Sequence, residues 1–92
     1  MSLDVVHQPD RGRFVIAMEN GDEVMLEYRQ SPGALDFYHT FVPESARGKG
    51  LAEKVVAAGF AFAREKGMKV VPTCSYVGTY LRRHPEDQEL AA

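Results

Sequence analysis

The sequence predicts a small α+β fold: an antiparallel meander of strands, then a β-α-β crossover, then a C-terminal helix. Two strong turn signals, at residues 20–22 and 30–34, divide the first half into strand-like segments. After Gly50 the apolar period changes to three and four residues, which is typical of an amphipathic helix. The β-branched segment at 68–72 follows that helix, so it predicts a strand parallel to the strand before the helix.

The first hairpin is indicated by residues 13–19 and 23–29. Residues 13–19 are apolar and β-branched, and they lead into an Asn-Gly-Asp sequence at 20–22 that favours a tight hairpin turn. A further short strand is expected near residues 5–7. Strand alternation predicts one apolar face in the second segment, made of Val24, Leu26 and Tyr28.

A third long strand is predicted at residues 35–42. It is apolar on both faces, which indicates an interior position in the sheet. Simple alternation places His39 on the same face as Phe37 and Phe41. Pro43 ends the strand because it has no amide proton to donate to the ladder.

The second half of the chain carries two predicted helices. The apolar period runs through residues 51–66, and Gly67 is placed to end this helix in a left-handed conformation. Ser75 is placed to cap a second helix at 76–83. The chain after Glu86 is expected to be loosely ordered.

Length and composition narrow the class of protein. The 92 residues suffice for a single domain, 1–92, with one core, and the 45% hydrophobic content is that of an ordinary globular chain. Eleven basic and thirteen acidic side chains give a net charge of −2. Nucleic-acid-binding domains usually carry a basic excess, so no nucleic-acid partner is predicted.

Membrane association and secretion are not indicated. The longest apolar run, residues 55–63, is far shorter than the roughly 20 residues that span a bilayer. The first residues lack the basic segment and apolar stretch of a secretory signal. Cys74 is the single cysteine and has no partner for an internal disulfide, which favours a reducing, cytoplasmic compartment.

The most informative segment is the loop that joins the third strand to the long helix. Backbone amides at a helix start are unpaired and carry a partial positive charge. Gly48 and Gly50 permit positive φ and a close approach to an anion, and Arg47 and Lys49 add charge. The loop therefore predicts a phosphate or pyrophosphate site.

Two nucleotide-binding motifs fit this loop poorly. A P-loop needs Ser or Thr after its Gly-Lys pair and a glycine five residues before the lysine, whereas Gly50 and Glu44 occupy those positions. A dinucleotide fingerprint needs Gly or Ala where Glu53 stands. The simplest alternative to a phosphate site is a glycine-rich turn that starts a helix and binds no ligand.

The loop does match the pattern Arg/Gln-x-x-Gly-x-Gly/Ala, filled by Arg47, Gly50 and Ala52. In this it resembles the acetyl-CoA pyrophosphate loop of the GNAT superfamily of N-acetyltransferases. The segment 69–85 is similar to a small single-domain GNAT-like subfamily with a cysteine at the position of Cys74. The resemblance extends over about residues 12–87 and implies a minimal GNAT fold.

The resemblance implies that the protein binds acetyl-CoA and transfers its acetyl group to an amine. The strand before the loop would separate from its neighbour and pair with the pantetheine arm, and the loop amides would bind the pyrophosphate. The cofactor-binding residues implied are Phe41, Val42, Arg47, Gly48, Lys49, Gly50, Leu51 and Ala52.

Tyr80 corresponds to the family tyrosine that protonates the departing thiolate. A phenol with a pKa of about 10 is neutral at pH 7 and can protonate a thiolate whose conjugate acid has a pKa of about 8.5. The alternative role is packing, because Tyr76 and Tyr80 lie four residues apart on one helix face.

Cys74 and His39 are the other two catalytic candidates. Cys74 stands before a helix start, a place that favours the thiolate, and could accept the acetyl group in a two-step transfer. The alternatives are direct transfer without Cys74 and an inert buried thiol. His39 is a candidate general base, since histidine titrates near neutral pH; the alternative is a structural role. Glu44 is a second candidate for the general base. No residues show metal-ligand spacing, so no metal is predicted.

The chain is shorter than a full GNAT domain. Its first two turns leave no room for the helices that help build the acceptor site in the family, so the acceptor side should be open. A CoA-binding or interaction module without catalysis is therefore the alternative function. A monomer or a weak homodimer is expected. The cations at 82–84 suit a helix C-terminus, or could meet a cofactor phosphate or an acidic partner.

Overall fold

The turn and strand signals of the first half produce four antiparallel strands. The computed structural model describes residues 4–92, in which five strands form one sheet whose order follows the chain. The fifth strand pairs parallel to the fourth, as predicted for a β-α-β crossover. The strands are β1 Val6–Gln8, β2 Arg13–Ala17, β3 Glu23–Ser31, β4 Ala34–Phe41 and β5 Lys69–Val71.

Two helices follow the apolar periods of the second half. Helix α1 spans Leu51–Lys66, as predicted, and ends at Gly67, whose φ of 66° only glycine adopts readily. Helix α2 spans Ser75–Arg83. The prediction that Ser75 caps it is wrong: Ser75 is the first helical residue, Cys74 takes the extended cap position, and no side chain caps the helix. No helix in residues 4–92 is long and apolar enough to cross a membrane.

The core lies between the helices and one face of the sheet. The predicted apolar face of β3 is confirmed, because Val24, Leu26 and Tyr28 are all buried. Helix α1 packs so closely that a Cβ on Gly59 would lie 2.8 Å from the ring of Phe37. The largest fully buried side chains are Phe37, Phe60, Ile16, Leu26, Leu35, Val24, Val55, Val56, Val70 and Val77.

A β-bulge divides β4. Glu27 pairs with His39 but its neighbour Tyr28 pairs with Phe37, so Tyr38 is an extra residue on β4. The extra residue reverses the alternation, and the prediction that Phe37, His39 and Phe41 share a face is wrong. Phe37 faces the core, whereas His39 and Phe41 face away from the helices.

The C-terminal segment is ordered, contrary to the prediction. Pro85–Leu90 form a 3₁₀ helix held against α1. Arg64 donates to the carboxylates of Asp87 and Glu89 and to the carbonyl oxygen of Glu86. The last amide, on Ala92, donates to the carbonyl oxygen of Val70. These long-range hydrogen bonds hold in place a segment that the sequence predicted to be loosely ordered.

Candidate functional site

The site begins where β4 loses its second partner strand. β5 pairs with only the first three residues of β4, Ala34–Asp36. Pro72 has no amide proton to continue the ladder, and the amide of Cys74 makes the last bridge, to the carbonyl oxygen of Phe37 at 2.9 Å. Beyond Phe37, no strand in residues 4–92 pairs with this edge of β4. The strand thus separates from its neighbour, as the resemblance implied.

The loop after β4 is fixed at its start and open at its end. A 3₁₀ turn, Glu44–Ala46, buries Ala46 in the core, and the hydroxyl of Ser45 donates to Asp22 at 2.8 Å. Gly48 and Gly50 follow, with φ of 78° and 71°. Both lie in the left-handed region, as their glycine character predicted.

Helix α1 begins without a side-chain cap. Gly50 is the cap residue and has no side chain to bond the first amides, so the amides of the first turn have no partner within the helix. A Cβ built on Gly50 would meet nothing within 4 Å. The helix start therefore opens onto free space, with its partial positive charge exposed there.

A cavity of about 250 Å³ lies at this junction. Six of the eight predicted cofactor-binding residues line it, whereas Phe41 and Lys49 do not; Lys49 is exposed on the loop and Phe41 is 45% exposed on the outer face of the sheet. The lining residues are Val42, Ala46, Arg47, Gly48, Gly50, Leu51, Ala52 and Tyr76.

Tyr76 and Tyr80 have different surroundings. The cavity is lined by Tyr76, and burial raises the pKa of its phenol. Tyr80 is only 5% exposed, stacks between Phe60 and His84, and donates its hydroxyl hydrogen to Asp87 at 3.1 Å. Burial, followed by the Asp87 hydrogen bond, raises the Tyr80 pKa strongly. Tyr80 is not among the residues that line the cavity.

Cys74 and His39 lie on opposite sides of β4. Cys74 is half-buried against the core, and its sulfur is 3.4 Å from the hydroxyl oxygen of Thr40, which faces the helices. His39 is 52% exposed on the outer face, and its Nε2 lies 3.9 Å from a carboxylate oxygen of Glu27. Glu44, the second candidate base, is exposed at the start of the loop.

Sequence reasoning missed Tyr76 and Glu27 as site residues. The four-residue spacing predicted that Tyr76 and Tyr80 pack on one helix face. The two side chains nevertheless differ by about 40° around the helix axis, and this places Tyr80 in the core and Tyr76 at the cavity. Glu27 could be found only from its pairing with His39 across the bulge. Within residues 4–92, no three His, Cys, Asp or Glu side chains come together as a metal site requires.

Comparison with known proteins places these features in one family. The sequence profile of the GCN5-related N-acetyl-transferase family matches residues 13–90. The chain belongs to this family. The resemblance predicted from the loop and from the segment around Cys74 is thereby confirmed.

The relatives of this GNAT protein align over almost its whole length. Protein NATD1 of Xenopus tropicalis is 33% identical over 92 residues, which cover 97% of this chain and 84% of the relative. Protein NATD1 of Homo sapiens is 33% identical over 91 residues, covering 96% and 80%. The NMR structure of a GCN5-like protein from Staphylococcus aureus has a TM-score of 0.77 and 24% identity, covering 98% of this chain and 88% of that one. The predicted GNAT fold is therefore confirmed.

Proposed function

We propose that this GNAT protein binds acetyl-CoA and transfers the acetyl group to an amine. The observation that carries the proposal is a single junction: the unpaired edge of β4 leads into a cavity at the uncapped start of α1. An unpaired strand edge suits an extended amide-bearing arm, and a helix start suits a pyrophosphate. Acetyl-CoA contains both groups in one chain.

The residues present fit acetyl-CoA. The amides from Gly48 to Ala52 would hold the pyrophosphate, with no Cβ at Gly50 in the way. The amide of Arg47, which the resemblance also implied, instead donates to the carbonyl oxygen of Glu44 at 3.2 Å. Arg47 and Lys49 are exposed there and add positive charge. The edge at Phe41 and Val42 would hold the pantetheine arm through backbone hydrogen bonds. In the structure the carbonyl oxygen of Val42 accepts from Nε of Arg47 at 3.4 Å, so the arm would replace that bond. When bound, acetyl-CoA supplies an acetyl group activated as a thioester.

His39 is the side chain best placed to take the proton released in amine acylation. A protonated amine cannot attack, so a base must take its proton. His39 would accept it at the imidazole, on the open outer face, where its Nε2 lies 3.9 Å from a carboxylate oxygen of Glu27. Tyr76 lines the cavity of the pyrophosphate loop, at the opposite end of the pantetheine arm from the sulfur, so its phenol would contact the pyrophosphate. Tyr80, which the resemblance implies as the proton donor to the departing thiolate, stays a prediction.

Direct transfer to the amine fits the arrangement better than transfer through Cys74. The thiol is half-buried on the core side of β4, within hydrogen-bond distance of Thr40, whereas the candidate base is on the outer side. A base on the open face can serve an incoming amine without any covalent relay. The cytoplasmic compartment and the monomeric or weakly dimeric state stay predictions.

Binding is tested by calorimetry and thermal unfolding with acetyl-CoA at up to millimolar concentration. We expect a dissociation constant below millimolar and a rise in Tm that grows with ligand concentration. If calorimetry shows no heat of binding and Tm does not shift, the proposal that the protein binds acetyl-CoA is wrong.

Transfer is tested by thiol release with an alkyl monoamine, a polyamine and a lysine-containing peptide as acceptors. We expect release above the hydrolysis blank for at least one of them. Binding of acetyl-CoA without thiol release for any amine would favour the alternative function, a CoA-binding module without catalysis. The alternative is motivated by the acceptor side, which is expected to be open.

A further inference from the structure

Two adjacent arginines at the end of α2 face in different directions. Successive residues of a helix are rotated by about 100°, so Arg82 and Arg83 cannot lie on one flank. Arg82 donates to the hydroxyl of Thr79 at 3.1 Å. Arg83 follows Tyr76 by seven residues, or two turns, and so shares the flank of Tyr76.

That flank faces the start of α1. Tyr76 lines the cavity together with Leu51 and Ala52. At the other end of α2, Nε2 of His84 lies 3.1 Å from a carboxylate oxygen of Glu53, in the first turn of α1. Both ends of α2 therefore meet the first turn of α1, and Arg83 lies at the end of α2 on the side of the cavity.

The charge of Arg83 is available on this side. It makes no ion pair and no side-chain hydrogen bond within residues 4–92. Glu53, the acid in the first turn of α1, is instead engaged by His84. Burial is the main cause that raises the pKa of Tyr76; beyond it, the charge of Glu53 raises this pKa and the charge of Arg83 lowers it. Both charges therefore lie near the phenol of Tyr76.

We propose that Arg83 binds the ribose 3′-phosphate of coenzyme A, a second phosphate site beside the pyrophosphate loop. The inference rests on the proposed function. A phosphomonoester carries up to two negative charges, and the planar guanidinium can bind it through two parallel N–H···O bonds. Arg83 therefore makes the protein select coenzyme A over its dephospho form, and this selection is independent of the acetyl group.

The test compares binding of coenzyme A and 3′-dephospho-coenzyme A by calorimetry at one fixed low salt concentration. The wild type should prefer coenzyme A by about tenfold, as expected for one charge-assisted contact at a solvent-exposed site. Arg83→Gln should reduce coenzyme A affinity to that of the dephospho ligand and leave dephospho binding unchanged. Arg82→Gln removes the same charge from the same turn, and it should retain the preference.

Each other outcome is decisive. Equal binding of both ligands by the wild type overturns the Arg83 assignment and leaves the proposed function standing. An equal loss of preference in both variants shows a general charge effect and also overturns it. If neither ligand binds the wild type, the proposed function fails and the assignment with it. Circular dichroism melts confirm that both variants are folded.

Discussion

The hydroxyl oxygen of Thr40 lies 3.4 Å from the sulfur of Cys74, across the gap that opens between β4 and the chain after β5. Thr40 is on the core side of β4 because the bulge at Tyr38 reverses the alternation. The thiol therefore has a hydrogen-bonding neighbour on the side of the strand opposite His39. This arrangement favours a structural thiol and makes its role testable.

Cys74→Ser should retain turnover within about threefold, because a serine hydroxyl can still bond Thr40 and direct transfer needs no thiolate. Rates of thiol release for the wild type and for Cys74→Ser provide the measurement. Mass spectrometry of the wild type mixed with acetyl-CoA should show no acetyl adduct on Cys74. A rapid adduct, together with an inactive Cys74→Ser, would establish the two-step route instead.

Tyr76→Phe should weaken acetyl-CoA binding by about tenfold, as expected for the loss of one hydrogen bond to a bound phosphate, with little change in kcat. Tyr80→Phe is the matched change four residues along the same helix. It should mainly lower stability, by about 1 kcal/mol, through loss of the bond to Asp87. Unchanged binding in Tyr76→Phe would contradict its place at the pyrophosphate, and a loss of kcat in Tyr80→Phe would support the role implied by the family.

Gly50→Ala should abolish measurable acetyl-CoA binding, because the added Cβ enters the cavity at the helix start. It should also cost about 1 kcal/mol of stability, since φ is 71°. Gly33→Ala is the control: its φ is 76°, and its Cβ too would meet nothing within 4 Å. Equal loss of binding in both variants, by calorimetry, would mean that backbone strain and not the cavity is responsible.

Gly59→Ala and Gly78→Ala should change stability in opposite directions. Both glycines are helical, and alanine is the better helix former by about 1 kcal/mol. At Gly59 the added Cβ would lie 2.9 Å or less from Leu26 and Phe37, so overpacking should win and destabilise by about 1–3 kcal/mol. Gly78 has open space and should gain stability. Urea unfolding of the two variants checks the signs.

His7 should make the protein less stable in mild acid. Its imidazole stacks on Phe14, and its Nε2 is hydrogen-bonded to the hydroxyl of Tyr28 at 2.6 Å. Burial lowers its pKa from 6.5, so the unfolded chain takes up the proton first as the pH falls. The free energy of unfolding therefore decreases from about pH 6.5 down to the lower folded pKa.

The measurement for His7 is Tm against pH for the wild type, His7→Gln and His39→Gln. The decrease on the acid side should be smaller in His7→Gln than in the wild type. His39→Gln is the matched control, because it removes a half-exposed histidine from the outer face of the sheet. His84 acts in the opposite sense, because its hydrogen bond to Glu53 raises its pKa. An unchanged acid limb in His7→Gln would contradict the linkage.

Local patterns determined much of the fold. Helix α1 was predicted to the residue, because an apolar period and a terminal glycine are both properties of neighbouring residues. The hairpins and the strand after α1 followed from turn chemistry and β-branching. The glycine loop was located because Gly48 and Gly50 need positive φ, and its neighbours line the cavity.

The features that the sequence did not predict depend on contacts between residues far apart in the chain. The bulge at Tyr38 depends on register with β3, which a single strand does not encode. The C-terminal segment looked loose because its stabilising partner, Arg64, is more than twenty residues away. Tyr76 and Tyr80 are equivalent in the sequence pattern and become different only when α2 packs against α1.

The single extra residue in β4 has a consequence for how the strand tolerates change. Before Tyr38, the odd-numbered Leu35 and Phe37 fill the core, and after it the even-numbered, half-buried Thr40 is on the core side. A saturation mutagenesis profile selected only for folding should therefore reverse its two-residue rhythm at that point. Selection for acetyl transfer should add sensitivity at the positions after Tyr38 that folding leaves free. One strand would thus carry two kinds of constraint, joined at one residue.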